Sequence, residues 1–189
     1  MSGTGTADTL FRRRRPATAS SRSRPRTEST VTLAVVSDAT TPGAEPEQVR
    51  LTIHEIVGGD GFFVRLVDEF YDRVAADPVL MAVYPDDLTE PRRTTAAFLA
   101  QFWGGEPHYS NERGHPRLRM RHHPFRIRTL ERDAWFTHMT AALDVVLPVD
   151  DPDGQPPIVA ASGLVAEVRA AMVDYFDRGA TAMINSPDE

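Results

Sequence analysis

Six histidines are the side chains best suited to hold a metal ion in this chain, because neutral imidazole commonly ligates iron, copper and zinc. They are His54, His108, His115, His122, His123 and His138. The absence of cysteine excludes thiolate-bound zinc, iron–sulfur clusters and a thiol nucleophile. All 21 basic side chains are arginine, which excludes lysine Schiff-base chemistry. Any metal must be held by His, Asp or Glu, or arrive in a bound macrocycle.

Four of these histidines have simpler interpretations. His54 lacks the second histidine of a zinc-protease helix, so we interpret it as a surface helix residue. His138 lies on the inner side of a predicted helix, where a hydrogen-bonded core or boundary histidine is the commoner outcome. His108 is expected in a loop, and His115, which precedes a proline, in a turn.

His122 and His123 lie in a short predicted helix, residues 116–123, with proline near both ends. One side of this segment is apolar and the other is cationic; the residues are Leu118, Met120, Phe125 and Ile127, against Arg117, Arg119, Arg121 and Arg126. Such a surface suits a flat, oily ligand that carries carboxylates, and haem is one. From composition alone, a plain surface helix with solvated arginines is the commoner outcome, and spacing by itself does not decide between the two.

Apolar residues at helical spacing predict a nearly all-α fold from Leu51 onward. The predicted long helices span residues 61–76, 89–103, 130–147 and 158–184, in addition to the short helix 116–123. A polar, acidic loop, residues 148–157, precedes the last of them. The pattern predicts no strand and no internal repeat.

The chain divides into a tail, residues 1–48, and a folded domain, residues 49–189. Seven arginines against two acidic residues give the first 30 residues a charge of about +5 and predict disorder. The net charge of -6 makes nucleic acid an unlikely partner for the folded domain. No export signal and no membrane span is predicted, so the expected location is cytoplasmic.

Several short motifs lie between Thr52 and Pro187. They are Ile56-Val57-Gly58-Gly59, Phe70-Tyr71, Val83-Tyr84-Pro85, Phe98-Leu99, Gln101-Phe102-Trp103-Gly104-Gly105, Gly114-His115-Pro116-Arg117-Leu118-Arg119-Met120-Arg121-His122, Pro124-Phe125 and Glu131-Arg132-Asp133-Ala134-Trp135. With these motifs the chain resembles the group II truncated haemoglobins of bacteria, which are short globins with a two-over-two helical sandwich around haem.

The resemblance implies a haem b cofactor whose iron is bound by Nε2 of His122. His123, one residue along the helix, must point elsewhere. The other ring nitrogen of His122 should donate to a nearby carbonyl. Further haem contacts are expected from Phe98, Leu118 and Phe125, and the candidates for the haem propionates are Arg119, Arg121 and Arg126.

On the opposite face of the haem, the resemblance places Tyr71, Tyr84 and Trp135, whose O–H and N–H groups would hydrogen-bond a diatomic ligand. The chain departs from the family pattern on the second long helix, where Pro91 and Thr95 are aligned with the distal-facing positions. A threonine hydroxyl there would add a small donor and acceptor.

The implied function is binding of dioxygen and other diatomic ligands, CO and NO, for carriage, storage or NO detoxification. Catalytic turnover stays open, as do an external reductase and a homo-oligomer. One alternative is a helical interaction module whose Arg-rich tail binds nucleic acid or an acidic partner. Another is a non-haem metal hydrolase, which would use His108, His115, His122 and His123.

Overall fold

The computed structural model describes residues 30–35, 47–150, 156, 159 and 163–188. The described part opens with two antiparallel strands, β1 (Thr30–Val35) and β2 (Glu47–Thr52), paired from Thr30 opposite Thr52 to Val35 opposite Glu47. Here the structure differs from the expectation of no strand, because each strand is completed by a partner that a local pattern does not reveal. The remainder of the predicted tail, residues 1–29 and 36–46, lies outside the described residues.

The described residues after the hairpin form helices joined by short turns. In chain order these are α1 (Ile53–Ile56), α2 (Asp60–Ala75), α3 (Pro78–Met81), α4 (Thr89–Phe102), α5 (His108–Arg113), α6 (Leu118–His122), α7 (Thr129–Val146) and α8 (Val165–Met183). The predicted helices therefore form, and α2, α4 and α7 have bounds within a residue of those expected. Helix α1 is the helix expected around His54; two further short helices, α3 and α5, were not predicted, and α5 includes His108, which was expected in a loop.

Local chemistry explains where the first helices begin and end. Thr52 caps α1 through a reciprocal pair of hydrogen bonds with Glu55. Gly59, with φ of 81°, makes the turn into α2 that a side chain would disfavour. Asp77 caps α3, and Pro78 takes its first position, where no backbone N–H is needed.

The core lies between two helix pairs. Helix α2 packs on α4 and on α7, and α7 packs on α8. The interior is built from apolar side chains on the inner faces of these helices; the largest include Phe62, Phe63, Phe70, Trp103, Met139, Leu143 and Phe176. This arrangement of α2 and α4 against α7 and α8 is the two-over-two helical sandwich that the motifs implied.

The last helix begins later than the pattern predicts. Gly163 has a φ of 68°, a left-handed conformation that a continuous helix cannot contain, and α8 begins two residues later at Val165. Most of the predicted acidic loop, residues 151–155 and 157, lies outside the described residues. None of the described helices is long and apolar enough to cross a membrane.

Candidate functional site

A cavity of about 230 Å³ opens between the two helix pairs. Its walls come from α2, α4, α6, α7 and α8 together with the segment after α3. The predicted site residues among its lining are Tyr71, Tyr84, Thr95, Phe98, Leu118, His122 and Trp135. Sequence positions more than sixty residues apart therefore meet around one space.

His122 is oriented toward this cavity by the helix that carries it. Its Nδ1 lies 2.8 Å from the carbonyl oxygen of Leu118, one turn earlier on α6. Because a carbonyl only accepts, Nδ1 carries the proton, and Nε2 keeps its lone pair free to bind a metal ion. His123 is exposed and does not line the cavity. The expected hydrogen bond between the other ring nitrogen of His122 and a carbonyl is therefore present, and the role of His122 as iron ligand stays a prediction.

Helix α6 depends on contacts outside itself, since none of its residues is buried. Arg117, which precedes it, has the left-handed φ of 44°, so the chain turns sharply into the helix. From the C-terminal segment, the amide of Asn185 donates to the carbonyls of His122 and Phe125 at 3.2 and 2.9 Å. These contacts fix the end of α6 where His122 lies.

Four polar side chains meet on the wall formed by α2, α4 and α7. The hydroxyls of Tyr71 and Thr95 lie 3.1 Å apart. Tyr84 and Trp135 line the same cavity, and the polar groups of Tyr71 and Trp135 lie close enough to Tyr84 to influence its pKa. The rings of Tyr71 and Tyr84 meet edge to face, with centroids 5.6 Å apart. The indole can only donate, so Tyr84 can accept from Trp135 and direct its own proton to another acceptor.

Burial sets the ionisation of the two tyrosines in this cluster. It raises the pKa of Tyr71, and it raises the pKa of Tyr84 well above its ordinary value of 10.0. Both phenols therefore stay protonated near neutral pH. The cluster presents O–H and N–H donors, and no negative charge, to the cavity.

Two residues expected to contact haem are not among the cavity lining. Arg119 is exposed and Phe125 is 44% exposed, and their haem contacts stay predictions. Leu118 and His122 are four residues apart and share one face of α6, so Arg119 points about 100° away from it. Pro91 does not line the cavity either, whereas Thr95 does.

Sequence reasoning missed other parts of the lining. Ile127 follows α6, and α8 adds Tyr175, Phe176, Gly179, Ala180 and Met183. Phe176 recurs at helical spacing with Val168 and Met172, which indicates an inner face, but such a pattern cannot distinguish a core wall from a cavity wall. Glu131 and Arg132 also line the cavity, and both are paired, with Arg128 and Asp177 respectively.

The remaining histidines do not form a metal centre with these groups. His138 bonds to Asp77 at 2.6 Å, which fits the expected boundary histidine. His54 is more enclosed than a surface residue, since it stacks on Phe63 and lies 2.7 Å from Asp60. Among the residues that the structure describes, no three His, Asp or Glu side chains could hold a metal ion together. The hydrolase alternative therefore has no site in this part of the chain.

Known proteins share this fold and sequence. Residues 52–155 match the family model described as bacterial-like globin. The group 2 truncated hemoglobin YjbI of Bacillus subtilis is 38% identical over 130 residues, which are 69% of this chain and 86% of that protein. The crystal structure of a thermostable hemoglobin from Thermobifida fusca is 43% identical, with a TM-score of 0.61 over 73% of this chain and 100% of that one.

A third relative is the truncated oxygen-avid haemoglobin of Bacillus subtilis, 37% identical with a TM-score of 0.58 over 70% of this chain and 98% of that one. The chain belongs to the bacterial-like globin family, and its relatives are the group II truncated haemoglobins.

The cavity fits the haem that this family binds. His122 offers a correctly oriented imidazole, and the surrounding walls are mainly apolar. At Gly179 on α8 an added Cβ would meet nothing within 4 Å, so the backbone leaves open space along one wall. The chain is a haem-binding globin, and iron is the metal that its haem carries.

Proposed function

We propose that this globin binds dioxygen reversibly, together with other diatomic ligands such as CO and NO, and retains dioxygen for long times. One observation carries the proposal: Tyr71, Tyr84, Trp135 and Thr95 converge on the cavity that His122 faces. A wall of donors on one side and an imidazole on the other suits a small ligand that gains partial negative charge on binding.

Each group has a defined task in this arrangement. Bound haem supplies an iron with one coordination position open to a diatomic ligand. His122 would hold the iron through Nε2, while Phe98 and Leu118 would pack on the macrocycle. Trp135 donates its N–H, and Tyr84 redirects its hydroxyl proton from Tyr71 toward the ligand. The buried surroundings strengthen these hydrogen bonds because water does not compete for them.

Strong retention favours storage, sensing or oxidative chemistry over rapid delivery. The description of one relative as oxygen-avid is consistent with slow release. The same site would also serve the oxidation of NO to nitrate by dioxygen, with an external reductase returning the oxidised iron to the ferrous state. The reductase, the oligomeric state and a cytoplasmic location stay predictions from the sequence.

Absorption spectra test the proposed axial ligand. We expect the wild type to show a Soret band in the ferric and dithionite-reduced states that shifts when CO is added. His122→Ala should lose or strongly alter that band, because the other α6 side chain that lines the cavity, Leu118, is apolar and cannot bind iron. His123→Ala is the matched control, and it should give the wild-type spectra because His123 is exposed.

Two results would contradict this assignment. Normal spectra from His122→Ala with altered spectra from His123→Ala would place the ligand one residue later. Failure of the wild type to take up haem on reconstitution would show that the chain has the globin fold but does not bind haem. The NO reaction has its own test by stopped flow: persistence of the oxygen-loaded protein after mixing with NO would exclude it.

A further inference from the structure

We infer that Asp77 and His138 are positioning residues: their hydrogen bond ties α3 to α7 and thereby holds the hydroxyl of Tyr84 against the indole of Trp135. The contacts do not depend on the proposed function. The rate of ligand release rests on that function, whereas the resonance of the Trp135 indole N–H does not.

Asp77 uses its two carboxylate oxygens for two different purposes. Oδ1 accepts from the backbone N–H groups of Val79 and Leu80, at 2.7 and 3.3 Å, and so caps α3. Oδ2 lies 2.6 Å from Nε2 of His138 on α7. Both side chains are mostly buried, with 18% of Asp77 and 24% of His138 exposed. The hydrogen bond from His138 holds the pKa of Asp77 below its ordinary range.

The position of Tyr84 depends on the Asp77 cap and on the Asp77–His138 hydrogen bond, because α3 is only four residues long. The N–H of Tyr84 donates to the carbonyl of Leu80 at 3.1 Å, and the N–H of Val83 donates to the same carbonyl at 2.9 Å. The turn that carries Tyr84 is thus bonded directly to the helix that Asp77 caps. A displacement of α3 would be passed to Tyr84.

The other end of the link lies beside Trp135. His138 follows Trp135 by three residues on α7, so the two side chains lie on the same face of the helix. The contacts form a closed ring that runs from Asp77 through α3 and Tyr84 to Trp135 and His138. Its halves meet at two places: the hydrogen bond between His138 and Asp77, and the side-by-side position of Tyr84 and Trp135 in the cavity wall. Loss of the hydrogen bond leaves only the second place to hold the halves of this ring together.

A double-mutant cycle tests the link through ligand release. In the haem-loaded protein, we expect His138→Leu to speed dioxygen dissociation between about two-fold and ten-fold, the range for one lost hydrogen bond. In a Tyr84→Phe background the same change should have no further effect, because the hydroxyl to be positioned is gone. A general loosening of the fold would instead speed release in both backgrounds.

Asp77→Ser separates the link from the cap. Serine is a good N-cap, but its single, shorter hydroxyl cannot also reach His138. Asp77→Ser should therefore reproduce the effect of His138→Leu. Asp144→Asn is the matched control, since it weakens an ion pair between α7 and Arg169 of α8 elsewhere on the helix. It should leave the dissociation rate unchanged.

The indole N–H resonances give a test that needs no ligand release. The chain has two tryptophans, and the N–H of Trp103 has no partner within the described residues. In ¹⁵N spectra, His138→Leu and Asp77→Ser should shift the N–H signal of Trp135, assigned with Trp135→Phe, and leave that of Trp103 in place. The spectra can be recorded with or without haem.

Either of two results would overturn the inference. One is equal acceleration by His138→Leu in the wild-type and Tyr84→Phe backgrounds; the other is a Trp135 signal that stays in place in both link variants. Because the resonance test works without a bound gas, a failure of the proposed function leaves it intact. A protein that binds no dioxygen and still shows the Trp135 shift would refute the function and support the link.

Discussion

The indole nitrogen of Trp135 contributes one hydrogen-bond donor to the cavity and nothing else that is polar. Trp135→Phe keeps an aromatic ring and removes this donor. We expect dioxygen to dissociate from the variant about ten-fold faster, because one hydrogen bond to a partly charged ligand is lost. Stopped-flow replacement of dioxygen by carbon monoxide measures this rate.

Trp103→Phe is the control for this prediction. It removes the same N–H from a fully buried residue whose nitrogen has no partner within the described part of the chain. We expect lower thermal stability from the lost ring volume and an unchanged dissociation rate. A rate that rises equally in both variants would point to altered packing and would remove Trp135 from the mechanism.

Single residues of the site differ in how far the sequence could reveal them. His122 could be identified as a candidate because prolines bracket its segment, and the family resemblance then distinguished it from His123. Leu118 shares a helix face with it, whereas Arg119 does not line the cavity, and spacing alone does not fix the rotation of a five-residue helix that decides which arginine does. Ile127 and Met183 enter the cavity from segments that carry no local signal of a site.

At the scale of elements, α7 depends on a charged group at its first turn. Arg128 donates to Glu131 from its backbone N–H at 2.8 Å and from its guanidinium at 2.6 and 3.2 Å. These bonds to a buried carboxylate lower the pKa of Glu131 from 4.5 to about 2. The negative charge also complements the helix dipole.

This shift predicts how stability depends on pH. Because the folded-state pKa is depressed, the contribution is complete above about pH 4.5 and is lost as the pH falls toward 2. Glu131→Gln should lower the free energy of unfolding by about 2 kcal/mol at pH 7 and by little near pH 2. Urea denaturation at a series of pH values measures the difference.

Glu112→Gln provides the comparison for the acid prediction. Glu112 also pairs with an arginine, Arg93, but it is exposed on α5. Exposed ion pairs contribute little, so its variant should track the wild type across the series. A Glu131→Gln curve that stays parallel to the wild type from pH 7 to pH 2 would show that the carboxylate is not held ionised by folding.

Elements with a strong apolar period were predictable. Helix α2 follows from the spacing of Phe62, Phe63, Leu66 and Phe70, and the structure begins it within a residue of the predicted start. The pairing of β1 with β2 depends on an alignment between separate segments. The start of α8 depends on the left-handed backbone at Gly163, which its sequence context did not signal.

At the scale of the whole molecule, Gly104 allows the end of β2 to pack closely on the helical sandwich. Gly104 has a φ of 109°, and an added Cβ would lie 2.5 Å from the side chain of Thr52 at the end of β2. Gly104→Ala should therefore destabilise the fold by about 2 to 3 kcal/mol through clash and backbone strain. Thermal denaturation of the haem-free protein measures the loss.

Gly179→Ala is the matched control for the glycine prediction. Gly179 lies inside α8 and has open space around the added Cβ, so alanine should be neutral or slightly stabilising without haem. Equal losses from the two variants would show that the approach of Thr52 to Gly104 does not limit stability.

Removal of haem should destabilise the molecule unevenly. Haem binds the folded state and not the unfolded chain. It therefore stabilises the fold by about 4 kcal/mol when the free haem concentration is about 1,000 times Kd. The four helices α2, α4, α7 and α8 keep their own buried contacts in the haem-free protein. Helix α6 has no buried residue, and its described anchors are few, chiefly the amide of Asn185.

We expect amide exchange in α6 to rise to nearly unprotected rates on haem removal, while α2 and α7 change by much less. The His122→Ala protein reconstituted with haem should resemble the haem-free wild type in α6, because the iron–imidazole bond is the added tether. Protection of α6 that is the same with and without haem would show that this helix is held by protein contacts alone.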